Sequence, residues 1–222
     1  MAIDGTTLFV SEWFANFIAK IDLASADLIQ LPVASQIIEF AVAESGWLVA
    51  STYDPSHGTV LKPISEADGT DGPGSITISS VHPQYWSQGH KILMSGASYA
   101  ARYPFDPSTG TIGPAEQQSA GTSSGYDSVL SSDGKQYLFG GVSLFDVDPG
   151  DLSHIGGLLG SSEAAAFTPD SKAVVLAAGN QLSVYDSFTR AVIGKYTVSP
   201  PNLSVLRGRF AAGRILSGWR VD

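Results

Sequence analysis

Apolar positions along this chain come in short runs, each entered through a tight-turn pair. Asp4-Gly5 precedes Leu8-Phe9-Val10-Ser11, Ser45-Gly46 precedes Trp47-Leu48-Val49-Ala50, and Gly89-His90 precedes Ile92-Leu93-Met94. Asp133-Gly134 opens Gln136-Tyr137-Leu138-Phe139, Asp170-Ser171 opens Ala173-Val174-Val175-Leu176, and Ala212-Gly213 opens Ile215-Leu216. The markers at 5, 46, 89, 134, 171 and 213 lie 41, 43, 45, 37 and 42 residues apart. A period near forty suits either a helical pair or a four-stranded repeat. No i, i+3, i+4 apolar stripe runs through the units, and each marker sits where a tight turn joins two short runs, so the pattern predicts strands.

The unit from Glu163 to Val198 is the clearest. It predicts strand A over Ala164 to Phe167, B over Ala173 to Ala178, C over Leu182 to Tyr185 and D over Ile193 to Val198, with turns at Asn180 and Asp186-Ser187-Phe188-Thr189. A second unit reads Ser128 to Leu130, Gln136 to Gly140, Ser143 to Val147 and His154 to Leu159. A third, from Asp4 to Val33, reads as B, C and D with no strand A. Ser65 to Gly74 is the most linker-like stretch, but it falls between a C strand and a D strand near Ile76, so a hairpin insertion is expected there rather than a domain boundary.

Leu8-Phe9-Val10-Ser11 followed by Ile18-Ala19-Lys20-Ile21-Asp22 resembles the YVTN-type repeat of bacterial and archaeal propellers, as does Asp170-Ser171-Lys172 through Val184-Tyr185-Asp186. Phe105-Asp106-Pro107-Ser108-Thr109-Gly110 is similar to the C–D hairpin of these repeats and of the related lactonase-like propellers. The chain departs from that pattern where Glu12 or Ala178 replaces the Asn of the motif. The resemblance implies an all-β propeller of YVTN/WD40-like type, a single domain over residues 1–222 with five to six blades. The family usually has seven blades, more than this length supplies. Closure is expected to pair the segment 204–210 with the first blade near Leu8 to Trp13, and a surplus strand from Arg214 to Trp219 would leave an open terminal blade able to form a homodimer.

Composition narrows the function. The chain has 21 acidic and 12 basic side chains, a net charge of −9, and no Lys/Arg block, which argues against binding a phosphate backbone. It has no Cys, hence no disulfide framework and no thiolate metal site. The N-terminus carries no basic-then-apolar leader, and no apolar run is long enough to span a bilayer. Charged residues make up only 15%, and with the Ser/Thr/Gly-rich surface this points to an exported or cell-surface module, extracellular or periplasmic.

Candidate chemistry is sparse. Gly121-Thr122-Ser123-Ser124-Gly125 matches G-x-S-x-G but lacks the strand before and helix after the serine that a nucleophile elbow needs, so a linker is expected. Glu66, Asp68 and Asp71 could offer oxygens to Ca²⁺, yet without EF-hand spacing they read as a solvated loop, and no metal or cofactor is expected. The histidines at 57, 82, 90 and 154 show no metal-ligand spacing. Trp13, Tyr85, Trp86 and Phe167 read as packing between blades, and Tyr99, Tyr103 and Phe105 as one buried face rather than a sugar-stacking strip. One pattern stands apart. Glu39, His82 and Asp127 lie seven residues before successive markers, with Glu163 eight and Arg207 six before theirs. That position starts strand A, so the five side chains would gather at one mouth of the channel and bind a ligand there. The reading drawn is a non-enzymatic binding or scaffold propeller with a protein, small-molecule or carbohydrate partner. The alternative is a lactonase- or lyase-type enzyme using the same ring for acid–base work.

Overall fold

A computed structural model describes residues 1–78, 82–95, 99–120, 128–139, 143–148, 151–158, 164–197, 210–211 and 214–215. Among these there is no α-helix, only a 3-10 turn at Ser87–Gly89. The chain forms two compact bodies, Met1–Gln118 and Ser119–Asp222.

In the first body a seven-stranded antiparallel sheet follows chain order: β1 (Ala2–Asp4), β2 (Thr7–Val10), β3 (Ala15–Asp22), β4 (Leu28–Val42), β5 (Trp47–Asp54), β6 (Gly58–Ser65) and β7 (Ile76–Thr77). A second sheet follows, with β8 (His82–Trp86), β9 (Lys91–Ser95), β10 (Tyr99–Asp106) and β11 (Thr111–Ile112) in succession. The boundary between the bodies falls inside β12 (Gln117–Ala120).

β4 explains why the first sheet is so wide. Its first part pairs with β3, from Ile21↔Leu28 to Phe17↔Pro32, and its second part pairs with β5, from Gln36↔Tyr53 to Val42↔Leu48. One strand is therefore the outer strand D of the first blade and the inner strand A of the second. The hand-over runs from Pro32, which has no N–H to give a ladder, to Ile37, which pairs with both Ala15 and Thr52, with register shifts at Ala15/Phe17 and Ile37/Glu39. Apolar residues from both halves meet in one cluster, with Phe9, Ile18, Leu31, Phe40 and Leu48 all buried. Each such side chain contributes about 1.5–3 kcal/mol by leaving water.

In the second body β13 (Val129–Leu130), β14 (Gln136–Phe139), β15 (Ser143–Asp148) and β16 (Asp151–Gly157) form one blade. β17 (Ala164–Phe167), β18 (Ala173–Ala178), β19 (Gln181–Asp186) and β20 (Val192–Thr197) form the next, matching the predicted strands to within a residue where described. Leu138, Leu144, Val174, Leu176 and Tyr185 are its buried core. β21 (Phe210–Ala211) pairs with β22 (Arg214–Ile215).

The C–D hairpin repeats in atomic detail. Asp22, Asp106 and Asp186 end their C strands, and their carboxylates accept from the backbone N–H of Ala24, Ser108 and Thr189 at 2.7, 2.9 and 2.6 Å. Four residues on, Ala26, Gly110 and Arg190 donate their N–H back to the same residue's carbonyl and adopt φ of 63°, 67° and 63°. Asx-type bonding of this kind makes a turn locally self-sufficient.

Two expectations are corrected. The first blade does not lack its inner strand: β1 occupies that place, with Ala2↔Phe9 and Asp4↔Thr7 in register. Three residues ahead of a Gly turn are too few to show an alternating pattern. The pairing partner proposed for 204–210 is therefore already satisfied, and residues 204–209 lie outside the described residues. Trp13 is not interior packing either; it is 71% exposed, because it sits in the β2–β3 turn beyond the sheet rather than on a strand. Trp86 and Phe167 are buried as expected, as are Tyr103 and Phe105.

Candidate functional site

Two of the five candidate residues fall among the described ones, and they meet. Glu39 follows the register shift in β4 and His82 opens β8, the inner strands of consecutive blades. A bulge at the change of pairing partner re-aims the side chain beside it. The carboxylate Oε2 of Glu39 is hydrogen-bonded to Nδ1 of His82, with both side chains more than four-fifths buried. Ser51 on the neighbouring β5 donates its hydroxyl to the Glu39 carbonyl at 3.3 Å. A carboxylate on one ring nitrogen fixes the imidazole's orientation and directs Nε2 away from it. Asp127, Glu163 and Arg207 lie outside the described residues, as does the Gly121–Gly125 motif.

The opposite end of the same strands carries a second cluster that repeat counting misses. Glu44, in the turn after β4, accepts a hydrogen bond from the Tyr85 hydroxyl and pairs with Nδ1 of His90, in the turn after β8. The Tyr85 hydroxyl holds Glu44 below the ordinary carboxylate value of 4.5, aided by His90. Burial, and then Glu44 itself, pushes the Tyr85 phenol far up. Tyr85 thus stays protonated and Glu44 ionised, which makes a fixed donor–acceptor clamp between two turns. The only sequence signal is that Glu44 and His90 are 46 residues apart, near one repeat.

This clamp has a measurable pH signature. A carboxylate depressed on folding adds stability that is complete above its unfolded pKa and is lost as pH falls through the folded value. Tyr85→Phe is expected to cost about 1 kcal/mol at neutral pH by urea unfolding. The variant should also lose less stability than the wild type on acidification below the ordinary 4.5. An unchanged acid-side slope would place the cause of the Glu44 shift elsewhere.

The acidic insertion is occupied with structural work. Asp71 pairs with Lys62 Nζ at 2.7 Å, and Lys62 also donates to Ser35 Oγ at 2.9 Å. Asp68 accepts from the Thr70 hydroxyl at 2.7 Å and its N–H at 3.1 Å. Burial, with Asp4 nearby, pushes Glu66 up. Among the described residues no three His, Asp or Glu side chains converge as a metal-binding set. No helix there is long and apolar enough to cross a membrane.

No family model and no curated protein matches the sequence. Solved structures do match the fold. A functionally unknown protein from Desulfotomaculum acetoxidans superposes with a TM-score of 0.69 at 13% identity, covering 87% of this chain and 67% of its own. The β-propeller domain of Myceliophteria thermophila Cps50 (Swd1) gives 0.65 at 11%, covering 88% and 71%. Kuenenia stuttgartiensis hydrazine synthase gives 0.60 at 13%, covering 84% and 63%. The chain thus spans about two thirds of the length of these proteins. At such identities the likeness is one of fold, and the fold is a β-propeller.

Proposed function

We propose that residues 1–222 form one propeller domain that works as a non-enzymatic binding module, exported or on a cell surface, with its ligand site at the starts of the inner strands. The observation that carries this reading is the Glu39–His82 pair, formed across consecutive inner strands. A carboxylate accepts from a ligand's hydroxyl or amine, and an imidazole oriented through Nδ1 accepts at Nε2 when neutral or donates there when protonated; charge-assisted bonds of that kind are strong. The same pair could instead act as a general base, which is the lactonase-type alternative.

Differential scanning with a panel of neutral sugars, lactones and peptides separates the two. A ligand at about 100 times its Kd adds about 2.7 kcal/mol of stability. The expected result is a stabilising ligand whose affinity falls at least tenfold, about 1.4 kcal/mol, in Glu39→Gln and His82→Gln and is unchanged in Ser123→Ala. Lactone hydrolysis that disappears in Glu39→Gln would establish the enzyme instead. A ligand held equally well by both variants would move the site elsewhere.

A further inference from the structure

The β2–β3 turn and the end of β5 bring three exposed aromatic rings together. Trp13 and Phe14, in the β2–β3 turn, stack with centroids 4.9 Å apart and planes at 29°. Tyr53, at the end of β5, meets Phe14 edge-on at 6.1 Å and 89°. Their exposures are 71%, 44% and 40%, so burial does not account for the cluster.

The backbone makes Phe14 more telling. Ala15 N–H closes the turn onto the Glu12 carbonyl at 3.1 Å, and Phe14 N–H reaches the Ile37 carbonyl at 2.7 Å. This holds Phe14 at φ 61°, a left-handed conformation that glycine adopts freely and a bulky side chain resists. A large aromatic thus occupies a position where the fold alone favours glycine and where the ring gains little burial. Strain of this sort collects at binding surfaces.

Charge identifies the occupant. The chain carries 21 acidic and 12 basic side chains, and the first basic one, Lys20, follows in β3. Lys20 is directed elsewhere, its Nζ donating to the Glu66 carbonyl at 3.0 Å. Glu12 immediately precedes Trp13 and Asp54 immediately follows Tyr53 in the chain. Asp54 is engaged in its own turn, accepting the Ser56 N–H at 2.7 Å and lying 3.2 Å from His57 Nδ1, which leaves the exposed Glu12 as the carboxylate beside the rings. Aromatic faces with neighbouring carboxylates attract a guanidinium or ammonium group, through the ring quadrupole and through the charge. A neutral sugar would use the rings but gain nothing from the acidic surroundings.

We propose that Trp13, Phe14 and Tyr53 form a docking site for an arginine- or lysine-bearing segment of a protein partner. The site uses side chains other than those of Glu39 and His82 and stands whether or not those residues bind a ligand. Fluorescence polarisation on the full chain tests it, using a labelled alternating Arg-Gly peptide, its Glu-Gly counterpart and labelled cellohexaose at about 0.15 M salt. The Arg-Gly peptide alone is expected to bind. Trp13→Ala and Phe14→Gly should each weaken it at least tenfold, while Asp170→Asn, which removes one exposed charge in the second body, leaves it unchanged. Phe14→Gly should keep or raise the melting temperature, which removes misfolding as the cause. Trp13→Ala, at a position outside the core, provides a second check. Glu12→Gln should weaken binding severalfold and flatten its salt dependence. Arg-Gly binding that survives both aromatic substitutions would reduce the effect to net charge. Cellohexaose or Glu-Gly binding lost on the same substitutions would assign the platform to another partner class. No binding by any probe would also overturn the proposal.

Discussion

Gly110→Ala is expected to lower stability by about 3 kcal/mol, or about 10 °C in melting temperature for a chain of this size. Gly110 occupies the left-handed position of the C–D hairpin at φ 67°, which alone costs an L-residue about 1–2 kcal/mol. Ala26 adopts φ 63° at the same point of the first hairpin, so the conformation by itself is tolerable. The difference is Trp47. A Cβ at Gly110 would lie 2.5 Å from two atoms of the Trp47 ring. The ring is hemmed in on another side as well, where a Cβ on Gly72 would come within 2.8 Å of both Trp47 and Pro63. Overpacking a confined ring adds about 1–3 kcal/mol. Ala26→Gly is the matched control and should stay within about 0.5 kcal/mol of wild type. Equal effects at 26 and 110 in urea unfolding would show that the Trp47 contact carries no energy.

Lys62→Ala is expected to cost about 3 kcal/mol by the same measurement. Lys62 is only 6% exposed, and its ammonium bonds Asp71 and Ser35. Removing it leaves a void where the aliphatic stem packed and strips Asp71 of its cation. Breaking a fully buried pair costs about 3–5 kcal/mol, but Asp71 is more than a third exposed and recovers water, so the lower end applies. Lys62→Met keeps most of the stem and should cost about half as much. If Met proved as damaging as Ala, the ion pair rather than the packing would dominate.

Legibility in the sequence followed local chemistry. The blade from Ala164 to Thr197 is readable almost residue by residue, because strong turn residues flank β-branched runs at each boundary. The hairpin insertion between β6 and β7 is readable because its turn signals fall inside one repeat. The Glu39–His82 contact could be anticipated, since a constant offset from the repeat marker becomes adjacency when strands recur by rotation. The Glu44–Tyr85–His90 clamp could not, because Glu44 is the second residue of its four-residue turn and His90 the fourth of its own, while Tyr85 lies on the strand, so the three share no offset from the repeat marker. Trp13 misled because an aromatic beside a strand run has the same local pattern whether the chain continues extended or turns. Only the β2–β3 hairpin geometry separates those cases.

β4 has a bearing on how the first body comes apart. Repeat proteins are commonly treated as separable elements, each with its own stability and a coupling to its neighbours. Between the first two blades that coupling is one continuous strand, laddered to β3 in its first part and to β5 in its second. No connector exists there that could melt first. The β3–β4 ladder can break without the β4–β5 ladder, but Phe9, Ile18 and Leu31 share one core with Phe40 and Leu48, so fraying from the N-terminus strips packing from the second blade and the smallest cooperative element of this region is a pair of blades.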